Sequence, residues 1–224
     1  MKLLTPNNHI VAVIDNINFL IDTGSPLSFS FDNTKTKTIT INNTDYTLKV
    51  TNICPKFIAD GLTGIDIGGF IGMDIIRKYG ITMDFENSEI TFSAIPKDNL
   101  CAVPIQIFMN SYITTNQISI NKTPLQNVII DTGAYIPYIS SRFANSLTKT
   151  GEYYMDNSPT FGNLSGEFLS GYLSVNDTDE TPVKFGTMPN MLDAYGMFDA
   201  FVGVLHISKK YFVIDFENNT LLYK

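Results

Sequence analysis

The chain has 224 residues, 44% hydrophobic and 17% charged, a composition that builds a globular core and not a disordered tail. Its net charge of -7 and pI near 4.7 leave no basic stripe to neutralise phosphates, which excludes nucleic acid from the expected partners. No apolar run approaches the ~18 residues of a membrane span, so no membrane partner is expected either.

Met1-Lys2-Leu3-Leu4 resembles the opening of a signal peptide, but Thr5-Pro6-Asn7-Asn8-His9 interrupts it before an apolar stretch develops. A full-length chain of this kind is expected in the cytoplasm; the alternative is a leader removed ahead of residue 1. Residues 10–14 and 19–21 read as strands around a turn at 15–18. Residues 38–41 and 46–50 read as a second hairpin closed by Asn42-Asn43. Helix signals are short: 73–78, 141–147 and 205–210. Strands dominate, and the predicted class is all-β in two lobes. Cys54 and Cys101 are too few for a disulfide framework or a zinc site and read as two buried thiols, with a single bridge as the alternative. In so Asn-rich a chain, the Asn-x-Ser/Thr sites at Asn42, Asn121, Asn163, Asn176 and Asn218 read as chance matches.

An internal repeat organises these elements. Phe19-Leu20-Ile21-Asp22-Thr23-Gly24-Ser25 recurs in kind as Val128-Ile129-Ile130-Asp131-Thr132-Gly133-Ala134. Residues 70–92, FIGMDIIRKYGITMDFENSEITF, align without gaps to 201–223, FVGVLHISKKYFVIDFENNTLLY. The chain therefore divides into an N-terminal module, 1–97, and a C-terminal module, 98–224, with 95–99 as linker. From Asp22 to Gly72 is 50 residues (72 − 22) and from Asp131 to Gly203 is 72 (203 − 131), so the second module carries the longer insertion.

An apolar strand that ends in Asp-Thr-Gly fixes a carboxylate at a strand exit, and the glycine admits a tight turn. One such triplet is an ordinary junction; two, each followed by an apolar-apolar-Gly step at Phe70-Ile71-Gly72 and Phe201-Val202-Gly203, are not.

Over nearly its whole length the chain resembles the aspartic peptidases, pepsins and retroviral-type enzymes alike. Gly72-Met73-Asp74 is more similar to the retroviral type. The resemblance implies a bilobal, double-ψ barrel-like all-β fold and a catalytic pair, Asp22 and Asp131. It implies that Thr23 and Thr132 cross-bond beneath the pair, and that Gly24 and Gly133 turn backbone amides toward it; Ser25 and Ala134 complete the two loops. With both half-sites in one chain, a monomer suffices. The partner is a peptide or protein substrate, and neither a metal nor another cofactor is required. Carboxylates about 3 Å apart share one proton. The ionised member takes a proton from water and the other donates to the peptide carbonyl. The alternative is a catalytically silent peptide-binding module on the same fold.

The family covers its cleft with a hairpin flap. The segment 160–168, with Phe161, Gly162, Leu164 and Gly166, has the composition of its mobile tip; an ordinary surface hairpin is the other reading. Because Ser25 carries a hydroxyl and Ala134 does not, the pair is expected to lose one donor to its charged form. That would shift an activity optimum up to roughly pH 4–6. His9 and His206 belong to no triad or metal spacing and read as structural or exposed. The glycine-rich stretch 61–69 lacks the lysine of a phosphate loop. Asp84 and Asp215, within the repeated Asp-Phe-Glu-Asn, read as structural residues of equivalent turns.

Overall fold

The computed structural model describes residues 1–31, 37–50, 55–158, 162–178 and 180–224. Among these the strands form two sheets, of twelve and ten strands, with few and short helices. The fold is all-β and bilobal.

The same local design is built twice. Ile17–Ile21 runs parallel to Gly69–Ile71, with Ile21 opposite Ile71. Val128–Ile130 runs parallel to Ala200–Val202, with Ile130 opposite Val202. The glycine-adjacent strand of each pair takes an antiparallel neighbour on its other edge, Phe29–Ser30 in one copy and Tyr138–Ile139 in the other. Those neighbours pair in parallel with Thr44–Val50 and Thr181–Thr187 respectively. Every residue of Gly69–Ile71 and Val128–Ile130 is buried, which is why these strands read as continuous apolar runs and not as alternations.

Behind both copies Ile81–Asp84 pairs antiparallel with Tyr211–Asp215, flanked by Glu89–Thr91 on one side and Thr220–Tyr223 on the other. The two Asp-Phe-Glu-Asn blocks are thus joined in one sheet, with their aspartates at opposite ends of the ladder. Asp84 accepts hydrogen bonds from the Asn87 amide (3.0 Å) and side chain (2.9 Å), and from Lys97 Nζ (2.7 Å). Asp215 accepts from the amides of Glu217 (3.0 Å) and Asn218 (3.1 Å). Both hold hairpin turns. Ile81, Met83, Phe212 and Ile214 are fully buried here and belong to one apolar cluster that also holds Ile21 and Ile130. The halves share a core, so packing over this sheet fixes how the two aspartate-bearing strands face each other.

The asparagines have a local explanation. Asp15 and Asn16, Asn42 and Asn43, and Asn121 and Lys122 all have positive φ, between 48° and 66°. Two-residue hairpin loops need both central residues left-handed, and Asn and Asp adopt that region most readily after glycine. The first turn is accordingly tighter than expected, two residues instead of four, and its strand begins at Ile17.

Helices are shorter than the sequence suggests at the three predicted places: Met73–Ile76, and 3₁₀ turns at Ser141–Ser146 and Val204–His206. Two unpredicted helices, Lys56–Thr63 and Asn190–Tyr195, precede the strands Gly69–Ile71 and Ala200–Val202. Cys101 is an exposed free thiol, contrary to the expected burial, because its strand lies at the sheet edge and pairs on one side with Thr220–Tyr223. Cys54 lies outside the described residues. No helix among the described residues is long and apolar enough to cross a membrane.

Candidate active site

Asp22 and Asp131 each follow a buried strand and sit on a loop that the neighbouring strand pins. The Asp22 amide donates to the Ile71 carbonyl (2.9 Å) and the Asp131 amide to that of Val202 (3.0 Å). Beneath them the threonines interlock. The Thr23 amide donates to Thr132 Oγ1 (2.9 Å) and the Thr132 amide to Thr23 Oγ1 (3.0 Å). Each hydroxyl then donates across to the opposite strand, Thr23 to the Ile130 carbonyl (2.8 Å) and Thr132 to that of Ile21 (2.6 Å). Both threonines are fully buried. Four buried hydrogen bonds therefore couple the loops, and losing either hydroxyl strands a buried amide and a buried carbonyl.

The carboxyl groups hydrogen-bond each other. Oδ1 of Asp22 accepts from the amides of Gly24 (2.8 Å) and Ser25 (3.1 Å), and Oδ1 of Asp131 from that of Gly133 (2.9 Å). The glycines also make room. A Cβ on Gly24 would lie 2.6 Å from Asp131 Oδ2, and one on Gly133 would lie 2.7 Å from the Asp22 carboxyl carbon. Each loop's glycine therefore packs against the other loop's aspartate.

Burial raises both carboxyls above the ordinary range. Asp22 goes well above it, because the neighbouring Asp131 adds to burial and outweighs the Gly24 and Ser25 amides. At Asp131 the Gly133 amide and the hydrogen bond from Asp22 oppose burial. Two carboxyls so placed and both raised titrate as a pair that holds one proton between them.

The serine expectation fails here. Ser25 Oγ donates to the Leu27 carbonyl (2.8 Å); only its backbone amide reaches Asp22. A hydroxyl at position 134 would likewise be drawn into its own loop, so Ala134→Ser should leave the basic limb of a kcat/KM–pH profile in place. A shift of that limb by half a pH unit or more would show that the hydroxyl reaches the pair.

The pair opens into a cleft of about 570 Å³, within the range of ligand sites and lined mainly by apolar residues from both halves, including Leu20, Phe29, Ile129 and Phe201. Over it folds a long hairpin, Thr148–Ser158 paired with Gly162–Val175. Leu164 lines the cleft. Gly162 lies at the start of the returning strand with φ +71°. Gly166 is not at the tip. It pairs with Tyr154 inside the ladder, where a Cβ would meet the Tyr154 hydroxyl at 2.9 Å. Phe161 lies outside the described residues.

Residues in and beside the cleft that carried no signal of function in the sequence also shape it. Tyr135 Oη donates to the Met155 carbonyl (3.1 Å) and Tyr138 Oη to Asp156 Oδ2 (2.6 Å), so the second Asp-Thr-Gly loop and the strand after it hold the hairpin. His9 is buried, lines the cleft, and packs at a tilt against Tyr135, with ring centroids 5.0 Å apart. His206 Nε2 bonds the Tyr135 carbonyl (3.0 Å), a positioning role, and burial keeps it toward its neutral form.

This is the pepsin-like bilobal fold. Solved structures that share it include the aspartic proteinase from Irpex lacteus, with a TM-score of 0.54 and 13% identity over 99% of this chain and 95% of that one. Basic 7S globulin from soybean also has a TM-score of 0.54, with 10% identity over 99% and 94% of the respective chains. No protein-family model matches the chain, and no curated protein matches its sequence. One neighbour is an enzyme by name and the other a globulin; the likeness shows the fold, and the case for turnover rests on the site.

Proposed function

We propose that the protein is an aspartic endopeptidase. The observation that carries this reading is the pair itself: two carboxyls hydrogen-bonded to each other on loops that the threonines interlock, at the floor of an apolar cleft. In the monoprotonated state the ionised member of the Asp22–Asp131 pair is the base that takes a proton from an attacking water, and the protonated member is the acid that donates to the scissile carbonyl oxygen as the tetrahedral diol forms. Proton transfer in the reverse sense then releases the amine, without a covalent intermediate. The hairpin 148–158 and 162–175 covers substrate in an extended conformation, and two half-sites in one chain make the monomer competent. A silent peptide-binding module would keep the cleft, but it would have no need of the proton-sharing pair.

Incubation of the purified protein with a mixed-sequence peptide library across pH 3–8 tests this, with cleavage read by mass spectrometry. The expected result is internal cleavage that a statine-type inhibitor suppresses and that does not depend on protein dilution. Stoichiometric peptide binding with no cleavage at any pH would favour the silent module.

A further inference from the structure

A second concavity adjoins the cleft at its rim. Its volume is about 460 Å³ and both halves line it: Pro26, Met73, Asp74, Arg77 and Lys78 from the first, Asn110 from the second. Pro26, four residues (26 − 22) past Asp22, lines the cleft as well. Across the seam, Met109 lines the cleft and its neighbour Asn110 lines this basin, both with positive φ (51° and 58°) in a tight turn. The charge changes sign at that rim. The cleft's described lining holds three carboxylates and no lysine or arginine, whereas the basin presents two adjacent cations and a single carboxylate.

The three charges of the basin are held differently. Asp74 is turned toward the crossing segment, where Ser28 Oγ donates to its Oδ1 (2.6 Å) and accepts from the Gly72 amide (2.9 Å). Lys56, Lys97, Arg142, Lys149 and Lys184 each pair with a carboxylate, yet neither Arg77 nor Lys78 does so among the described residues. Arg77 Nη1 donates across the seam to the Asn110 carbonyl at 3.4 Å, a long contact that leaves most of the guanidinium N–H groups open to other acceptors. Lys78 Nζ lies 4.7 Å from the centre of the Tyr46 ring, which orients the ammonium without neutralising it. Both side chains are exposed, so a ligand can reach them from solvent. In a chain of net charge -7, a planar fork and a point charge thus face one basin with no anion of the described chain bound to either.

We infer that Arg77 and Lys78 make this basin an oxyanion site, which takes a carboxylate or phosphate group at the seam between the two halves. A guanidinium binds two oxygens of one such group in parallel, and the neighbouring ammonium adds a third contact. The oxyanion has two sources. One is a small free anion; the other is an acidic side chain of a peptide that runs out of the cleft past Pro26 and Met109. Only the second rests on the peptidase reading. Arg77 and Lys78 bind through ground-state contacts and take no part in the proton transfers.

Two probes decide the site and its source, both on the full chain at low ionic strength, where charged contacts are least screened. The first is inorganic phosphate, followed by calorimetry and by melting temperature against potassium chloride of equal ionic strength. The second is a statine-bearing peptide extended beyond the cleft, at one end or the other, by glutamate or by glutamine, and followed by calorimetry without turnover. Wild type should bind phosphate, or should favour a glutamate peptide over its glutamine twin by about fivefold or more, the order of a charge-assisted hydrogen bond. The double variant Arg77→Gln, Lys78→Gln should lose that response and keep its melting temperature in chloride, which shows an intact fold. Phosphate binding without a glutamate preference supports the site and assigns it to a small anion. A glutamate preference supports it and assigns it to the peptide. If no statine peptide binds, the peptidase reading is weakened on its own account and the phosphate arm decides the site. Wild type that responds to neither probe, or a response that survives in the double variant, overturns the assignment.

Discussion

Asp22→Asn and Asp131→Asn should each lower kcat by about 10³-fold or more, and the double variant should be little worse than either single one. The non-additivity follows from the geometry. One proton is shared between two carboxyls that hydrogen-bond each other, so removing either carboxyl removes the acid and the base together. Two independent contributions would instead multiply, and a double variant worse than both singles by the product of their losses would break the pair apart. The fold should survive, because the amide oxygen of an asparagine at position 22 can still accept from the Gly24 and Ser25 amides.

The same substitution should change stability in a direction set by the raised pKa. Asp22 binds its proton more tightly folded than unfolded, so its contribution is fully present below the unfolded value of about 3.9. It is lost as pH rises through the higher folded value. Wild type should therefore lose thermal stability across that window, and Asp22→Asn should lose less, since only the buried Asp131 then contributes. At neutral pH the variant should melt higher than wild type, with the gap closing in acid. Melting curves from pH 3 to 8 give the answer; a gap that is independent of pH would mean that the pair is not the cause.

What was legible in the sequence is what the chain repeats. Both Asp-Thr-Gly loops and both apolar-Gly steps end buried strands, and burial on two faces leaves continuous apolar runs that can be read directly. The Asp-Phe-Glu-Asn turns were legible for the same reason. The helix Lys56–Thr63 was not, since Gly61 lies inside it and its support is tertiary. Asp60 accepts from the Ile67 amide (2.8 Å) and from Lys56, contacts that no periodicity announces. The cleft wall beside the hairpin was still less accessible. His9, Tyr135 and Asp156 come from three distant segments and meet only because the long hairpin folds back over the cleft. One signal was available: Tyr153, Tyr154, Met155 and Asp156 alternate along a strand, so Asp156 must share a face with Tyr154. Which face turns inward was decided by the hairpin's packing.

Gly203→Ala should be among the most damaging single methyls that can be added to this protein away from the carboxyls themselves. The backbone at Gly203 is ordinary, with φ −73°, so no conformational demand requires glycine there. The demand is steric: a Cβ would lie 2.1 Å from the Ala134 carbonyl oxygen, a backbone atom that cannot rotate away. Gly72 is the counterpart in the first half, where a Cβ would meet the Leu27 and Ser25 carbonyl oxygens at 2.7 Å. In each copy the glycine lets one segment cross directly behind the aspartate loop, the arrangement that fixes the carboxyl's position. Relieving the clash at Gly203 means displacing Ala134, three residues from Asp131, and with it the Gly133 amide that bonds the carboxylate. We expect a stability loss of about 1–3 kcal/mol or more from the overpacking, together with loss of most turnover in whatever remains folded. Gly61→Ala is the matched control. Gly61 lies within the helix Lys56–Thr63 with nothing near the added methyl, and alanine there should stabilise by about 0.4–1 kcal/mol at unchanged kcat/KM. Denaturant unfolding and peptide hydrolysis on the two variants, side by side, separate the effects. A Gly203→Ala protein with wild-type stability and activity would mean that the crossing is looser than 2.1 Å implies and does not position Asp131.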